Sequence, residues 1–422
     1  MWTALAGVQS RNIKKIIAVW LFSSVIAAGW GVYQAIVGKV VTSSFGNPNI
    51  LAGYLVLIFP IVLSQLFYAG YSFQKHKNNN IWRFFLLSGV LIIITAGLTV
   101  TKSRGAWLGI STAVLVLVFL ILINLTNNRK KILLGAGIIL ICLVCFFMFA
   151  GAALRNQISK DVRPLFWKGS LNMIKASPLT GHGLGTFFIT YPPYRVKEYF
   201  IQPSKTDVTR HAHCEYLEIA AETGLISLFF FVGMLILFFY SAARFIFQAP
   251  RSYVSWTLTG LTAGLAGFLA HNIVSVNMRF PGCAVFFWFA LGISLGLMTE
   301  QTGVFRNSRY WNKSSKFAKQ TGLLFLIMVF MIITVYSIKT DIIAQVYFKK
   351  GLKAGNRGDW VKAITAYQRS VIFDQSFIRP YYKMAYAYDQ IGQIDEAVLT
   401  YKEILNQAPY YARTRANLGV LY

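Results

Sequence analysis

No aspartate or glutamate occurs before Asp161, and over all 422 positions only 14 acidic residues face 41 lysines and arginines. A water-soluble domain carries roughly a quarter of its residues charged. Here the charged fraction is 13% and the hydrophobic fraction 56%, so most of the surface must face lipid. The shortage of acid also argues against whole classes of function. Proton- and cation-coupled transporters place ionisable groups within their spans. The first 339 residues hold only Asp161, Glu198, Asp207, Glu215, Glu218, Glu222 and Glu300, six of them in one loop or at the start of the run after it. No cluster of Asp, Glu, His or Cys has metal-ligand spacing, so neither a metal nor any other cofactor is expected. Cysteine is just as sparse. Cys142 and Cys145 lie inside an apolar run and Cys214 and Cys283 near run ends, which reads as four small buried side chains, with a Cys214–Cys283 bridge the minor alternative.

What is present in quantity is apolar sequence and positive charge. The formal charge of +27 does not point to nucleic acid, because the basic residues stand in short clusters between runs long enough to span a bilayer. Membrane lipids with anionic head groups, and phosphate-bearing membrane substrates, are the partners such clusters suit. Nine spans are predicted, near 16–37, 50–70, 84–101, 105–124, 132–152, 223–243, 254–277, 282–299 and 321–338. The first is too long for a signal-peptide core and reads as a retained anchor. With the N-terminus in the cytoplasm, alternate connections carry Arg11/Lys14/Lys15, Lys75/Lys77/Arg83, Arg129/Lys130/Lys131, Arg244/Arg251 and Arg306 to Lys319, while the short outer ones carry few cations. The positive-inside rule thus puts a long loop, 153–222, and everything after residue 339 on the extracytoplasmic side of the cell membrane. The expected fold is all-α: a polytopic helical bundle over residues 1–339.

Residues 340–422 differ in kind. Acidic residues return, and a period of 34 links Gly358 with Gly392, Trp360 with Ile394, Ala363 with Ala397 and Tyr367 with Tyr401. That period is the tetratricopeptide value, which predicts an α-solenoid for contact with a protein partner, its third repeat incomplete at residue 422.

Chemistry concentrates in the long loop and around it. The segment from Arg163 to Lys175 mixes apolar and basic residues, as a helix lying on the membrane surface would, with Trp167 at head-group depth. The glycine spacing of Pro178–Gly185 superficially resembles a nucleotide loop, but no strand pattern precedes it. Arg210-His-Ala-His-Cys-Glu215 then opens a hydrophobic helix. Close to that helix N-terminus His213 would stay neutral, since exposed N–H groups disfavour the imidazolium, and is a candidate base. Glu215, Glu218 and Glu222 fall on one helix face, and a solvated helix start is their simplest reading. His211 reads most simply as an exposed loop histidine. Arg104, Arg163 and Arg279 stand on the same outer side, and guanidinium forks suit phosphate oxygens. Arginines converging with a neutral histidine suit a diphosphate leaving group held without metal.

These stretches resemble the O-antigen ligase and polymerase superfamily, membrane glycosyltransferases of the GT-C type. The resemblance rests on Phe45–Gly53, Thr101-Lys-Ser-Arg-Gly-Ala-Trp107, Arg163 with Trp167, Pro178–Gly185, His213-Cys-Glu-Tyr-Leu217, Glu222-Thr-Gly224, His271-Asn272 and Phe280-Pro281, in that order over most of residues 45–300. It implies a polyprenyl-diphosphate-linked glycan as donor and a glycan, lipid or protein acceptor. It also implies that Arg163, His213 and Arg104 are the catalytic residues. Arg279, Arg210, His211, Glu215 and Trp167 complete the candidate substrate-binding set. Two departures stand out: Cys214 replaces the usual asparagine, and about four N-terminal spans of the family pattern are missing, an even number that preserves the topology. The function expected is glycan transfer from the lipid carrier to an acceptor hydroxyl, as ligase or polymerase. A lipid-glycan flippase or exporter and a non-catalytic repeat scaffold are the alternatives.

Overall fold

The computed structural model describes residues 10–76, 81–125, 162–200, 209–302, 328–329, 339–411 and 413–422. Within them every regular element is helical, and six helices are long and apolar enough to cross a membrane. They are α1 (Ser10–Ile36), α2 (Pro48–His76), α3 (Ile81–Val100), α4 (Arg104–Leu125), α6 (Glu215–Gln248) and α8 (Pro281–Thr302). The segment of mixed apolar and basic residues forms α5 (Arg163–Ala176), and α7 (Tyr253–His271) is buried along most of its length. The span predicted at 132–152 lies outside the described residues, as does that at 321–338 but for residues 328 and 329.

The chain divides into two compact units, 1–184 with 211–307, and 185–210 with 308–422. In the first, α7 packs along both α2 and α4. Its sequence explains the closeness. Gly260 and Gly264 lie against the α2 backbone at Pro60 and Leu57, and Gly267 meets Gly109 and Ala113 of α4. Small residues at this spacing let helix backbones approach where lipid supplies no hydrophobic drive to associate. Two of the threonines of α7 bond within their own helix, and one of them also accepts from α2. Thr257 and Thr259 donate back to their own helix, and Gln65 of α2 donates to the Thr257 hydroxyl at 2.9 Å. Leu55, Leu57, Ile58, Leu261, Leu265 and Phe268 fill the space between these helices and are essentially inaccessible to solvent.

Helix α6 bends at Gly224, whose φ of 83° and ψ of 169° are a glycine conformation. The glycine-rich stretch after α5 docks on that bend. Gly183 N–H donates to the Glu222 carbonyl at 2.7 Å, and Leu225 N–H donates to the Pro178 carbonyl at 2.8 Å. The glycine spacing that superficially suggests a nucleotide loop is therefore a clamp on a kinked helix. A β-carbon on Gly224 would collide with the Leu179 carbonyl oxygen as well as straining the backbone. Gly224→Ala is expected to destabilise the first unit by at least about 2 kcal/mol. Thermal unfolding of the purified protein in detergent checks this, and an unchanged transition would contradict it.

The second unit holds the helical repeats: a helix over 339–355, α9 (Trp360–Phe373), α10 (Ile378–Gln390), α11 (Ile394–Gln407) and α12 (Thr414–Leu421). The period of 34 becomes a repeated packing scheme. Ala363 and Ala397 are fully buried where helices cross, and Tyr367 and Tyr401 are 3% and 2% exposed at equivalent places. Part of the long loop joins this unit, with Phe188 and Ile189 in the cluster of Tyr401, Ile404 and Tyr411.

Candidate functional site

One end of the bundle collects the starts of α4, α6 and α8 and the end of α7. Each connection there has a local cause. Between α3 and α4 the chain turns within Thr101-Lys-Ser103: the Thr101 hydroxyl donates to the Leu98 carbonyl at 2.7 Å, and Lys102 takes a positive φ of 53°. The Ser103 hydroxyl accepts from Ala106 N–H and so caps α4, which leaves Arg104 exposed at its first position. Gly105 is bare for a steric reason, since a β-carbon there would press into the His271 ring.

The span predicted over 254–277 stops at His271, because short polar side chains capture the backbone beyond it. Asn272 Oδ1 accepts from Asn277 N–H at 2.7 Å, and the Ser275 hydroxyl donates to Asn277 Oδ1 at 3.0 Å. With its oxygen so occupied, Asn277 turns its amide nitrogen to His271 Nδ1 at 3.1 Å. Nδ1 is therefore the acceptor, and the proton of the neutral ring sits on Nε2. The same connection holds the start of α6, as the carbonyls of Asn272 and Ser275 both accept from Glu215 N–H. His271 is buried and packs against the bare Gly105, the residue after Arg104.

His213 lies just before α6, half-buried, with a φ of 54° and its ring stacked on Phe166 at 5.7 Å between centroids. The left-handed backbone is uncommon for a residue with a β-carbon, and such strain gathers where function requires it. Phe166 belongs to α5, which also carries Arg163 and half-buried Trp167. The Trp167 indole N–H is shielded from solvent and has no acceptor among the described residues. Cys214 and Cys283 are both free and buried; burial pushes the Cys214 thiol up, which removes it as a thiolate nucleophile.

The glutamates depart from the solvated helix start expected of them. Glu215, Glu218 and Glu222 are only 2%, 1% and 1% exposed. They surround Arg279, which bonds Glu215 at 2.8 Å, approaches Glu218 at 3.7 Å and bonds Glu222. Burial alone would push the Arg279 guanidinium down, but the three carboxylates reverse this and hold it above its ordinary value. His211 is drawn in as well. Its Nδ1 lies 2.8 Å from Glu218 Oε1, and the Ala212 N–H donates to Glu218 Oε2 at 2.8 Å. Glu215 Oε2 has no partner among the described residues. Arg210 falls in the second unit, its guanidinium 5.9 Å above the Phe188 ring.

The expected residues thus separate into groups. Arg104 precedes the Gly105 that packs on His271, and His213 stacks on the helix that carries Arg163. Arg279 and Glu215 form an ion pair in a cluster with Glu218, to which His211 is hydrogen-bonded. His271 is the residue that sequence reasoning passed over as a motif match. Its signal was a histidine closing an apolar run beside three short polar residues.

Residues 89–232 match the family model for O-antigen ligase. The O-antigen ligase match takes in Arg104, Arg163, Trp167, His211, His213 and all three glutamates, and it ends before His271 and Arg279. Among curated proteins, 82 residues are 32% identical to the photosystem I assembly protein Ycf3 of Prochlorococcus marinus (strain NATL2A), covering 19% of this chain and 47% of that protein. The corresponding protein of Synechococcus sp. (strain WH7803) is 30% identical with the same coverage. The chain spans about half the length of these relatives, which are tetratricopeptide-repeat proteins.

Proposed function

We propose that the chain is a membrane glycosyltransferase. It moves a glycan from a polyprenyl-diphosphate carrier to an acceptor hydroxyl at the extracytoplasmic face, as ligase or polymerase. The observation that carries this reading is the strained His213, stacked on Phe166 of the helix that opens with Arg163, at the end of the bundle where Arg104 begins α4. The two guanidiniums bind the diphosphate and stabilise charge that develops on it as the bond from the anomeric carbon to the diphosphate oxygen breaks. The acceptor hydroxyl attacks that carbon and gives its proton to His213 as base, and polyprenyl diphosphate departs. Trp167, whose N–H has no acceptor among the described residues, hydrogen-bonds the donor. Arg279 holds the glutamates and the start of α6 in place rather than touching phosphate, and His211 belongs to that cluster. The repeats recruit a protein or acceptor on the same side as the loop. The packing of loop residues Phe188 and Ile189 against repeat residue Tyr411 supports that placement.

The test is transfer by purified full-length protein from a labelled polyprenyl-diphosphate glycan to added acceptor, with and without chelator. We expect transfer that chelator leaves unchanged and that His213→Ala lowers by roughly 10²-fold or more. Donor bound without any new glycosidic bond would point instead to an exporter, and donor not bound at all to a scaffold.

A further inference from the structure

The end of the bundle where α1 and α3 begin and α2 finishes carries a second feature, remote from the residues above. A groove of about 460 Å³ runs between α1 and α3, and its composition is sharply polarised along its length. On α1 the lining starts at Lys14 and continues through Ile17, Leu21 and Val25; on α3 it starts at Arg83 and continues through Leu86 and Val90. Both are stripes at three- and four-residue steps, one helix face each, with a cation at the mouth and hydrocarbon below.

The cations are placed together rather than scattered. Lys14 Nζ stands 5.4 Å and the Arg83 guanidinium 5.1 Å from the centre of the Tyr253 ring, at the first residue of α7. Arg83 is further fixed by donating to Gln65 Oε1 at 3.1 Å, and Gln65 is itself held by Thr257. A guanidinium has five N–H donors, so this leaves others for a ligand. None of the lining residues is acidic. Two cations grouped around one ring, with no acidic residue in the lining, at the mouth of an apolar slot call for an anion joined to a hydrocarbon chain.

Dimensions agree. From Lys14 to Val25 a helix rises about 16 Å, close to half of the roughly 30 Å hydrocarbon core. The slot therefore extends from the head-group level to about the bilayer midplane. Its rim opens sideways, with Phe22 68% and Leu86 66% exposed, so a molecule already in the bilayer enters without crossing water.

We propose that this groove is a binding site for an anionic membrane phospholipid, its phosphate between Lys14 and Arg83 and one acyl chain along Ile17, Leu21 and Val25. It is independent of the glycan-transfer reading and lies at the opposite end of the bundle. The occupant is one lipid of the leaflet opposite the candidate site. The charge on its phosphate offsets two cations, so a bilayer rich in such lipid holds α1 against α3.

Native mass spectrometry of the purified full-length protein tests this, using phosphatidylglycerol and phosphatidylcholine of matched chains in equal amounts. Wild-type protein is expected to retain phosphatidylglycerol preferentially. Lys14→Gln/Arg83→Gln is expected to lose that retention roughly 10- to 30-fold. Leu86→Trp fills the slot without altering charge and is expected to lose it too, which separates a lipid from a free phosphate. Lys14→Gln alone, at an exposed position, gives a smaller loss and guards against misfolding of the double variant. Equal retention of both lipids, or unchanged phosphatidylglycerol retention in Leu86→Trp or in the charge variants, would overturn the proposal.

Discussion

Replacing Arg163 by alanine is expected to lower glycan transfer roughly 10²- to 10³-fold, the usual cost of removing one group that stabilises charge at the reacting centre. Arg163 opens α5, the helix whose Phe166 stacks on His213, and in the proposed reaction it shares the diphosphate with Arg104. Arg163→Lys restores the charge but not the fork, so only a minor part of the activity should return. The defect should appear in kcat more than in KM if charge builds on the diphosphate in the transition state. Cells expressing each variant in place of the wild-type protein, at matched membrane levels, provide the measurement, with attached or extended glycan as the readout. Full transfer by Arg163→Ala would remove this arginine from the site.

Reading the sequence worked where one segment decides its own fate. Span-length apolar runs form helices in isolation from the rest of the chain, and α1 to α4, α6 and α8 lie near the predicted positions. The repeat helices follow from a period, and the buried pairs Ala363/Ala397 and Tyr367/Tyr401 are those the period selects. The reading was weaker where backbone and side chains compete. Residues 272–277 are apolar enough to extend a span, yet Asn272, Ser275 and Asn277 bond one another and end the helix. It failed where the partner is distant. The helix period puts Glu215, Glu218 and Glu222 on one face, but that face meets Arg279, 57 to 64 residues further along, rather than solvent. Nothing local to α6 announces that a guanidinium from the α7–α8 connection will cover it.

That cluster carries the other large effect. Arg279→Ala would take from three buried carboxylates the guanidinium they share, a change expected to destabilise the first unit by about 3–5 kcal/mol. Thermal unfolding in detergent should show the loss directly. Charge balance, not the arginine itself, is the cause, so Arg279→Met combined with Glu215→Gln and Glu222→Gln should recover most of the stability. The combined variant also decides what Arg279 does in catalysis. If its role is to fix the start of α6, and with it His213, the combined variant regains transfer together with stability. If Arg279 instead grips the diphosphate, the same variant is stable but inactive, with weakened donor binding. The bonds to Glu215 and Glu222, together with the contact to Glu218, favour the first outcome. A guanidinium already shared among three buried carboxylates has little charge left to offer a fourth anion.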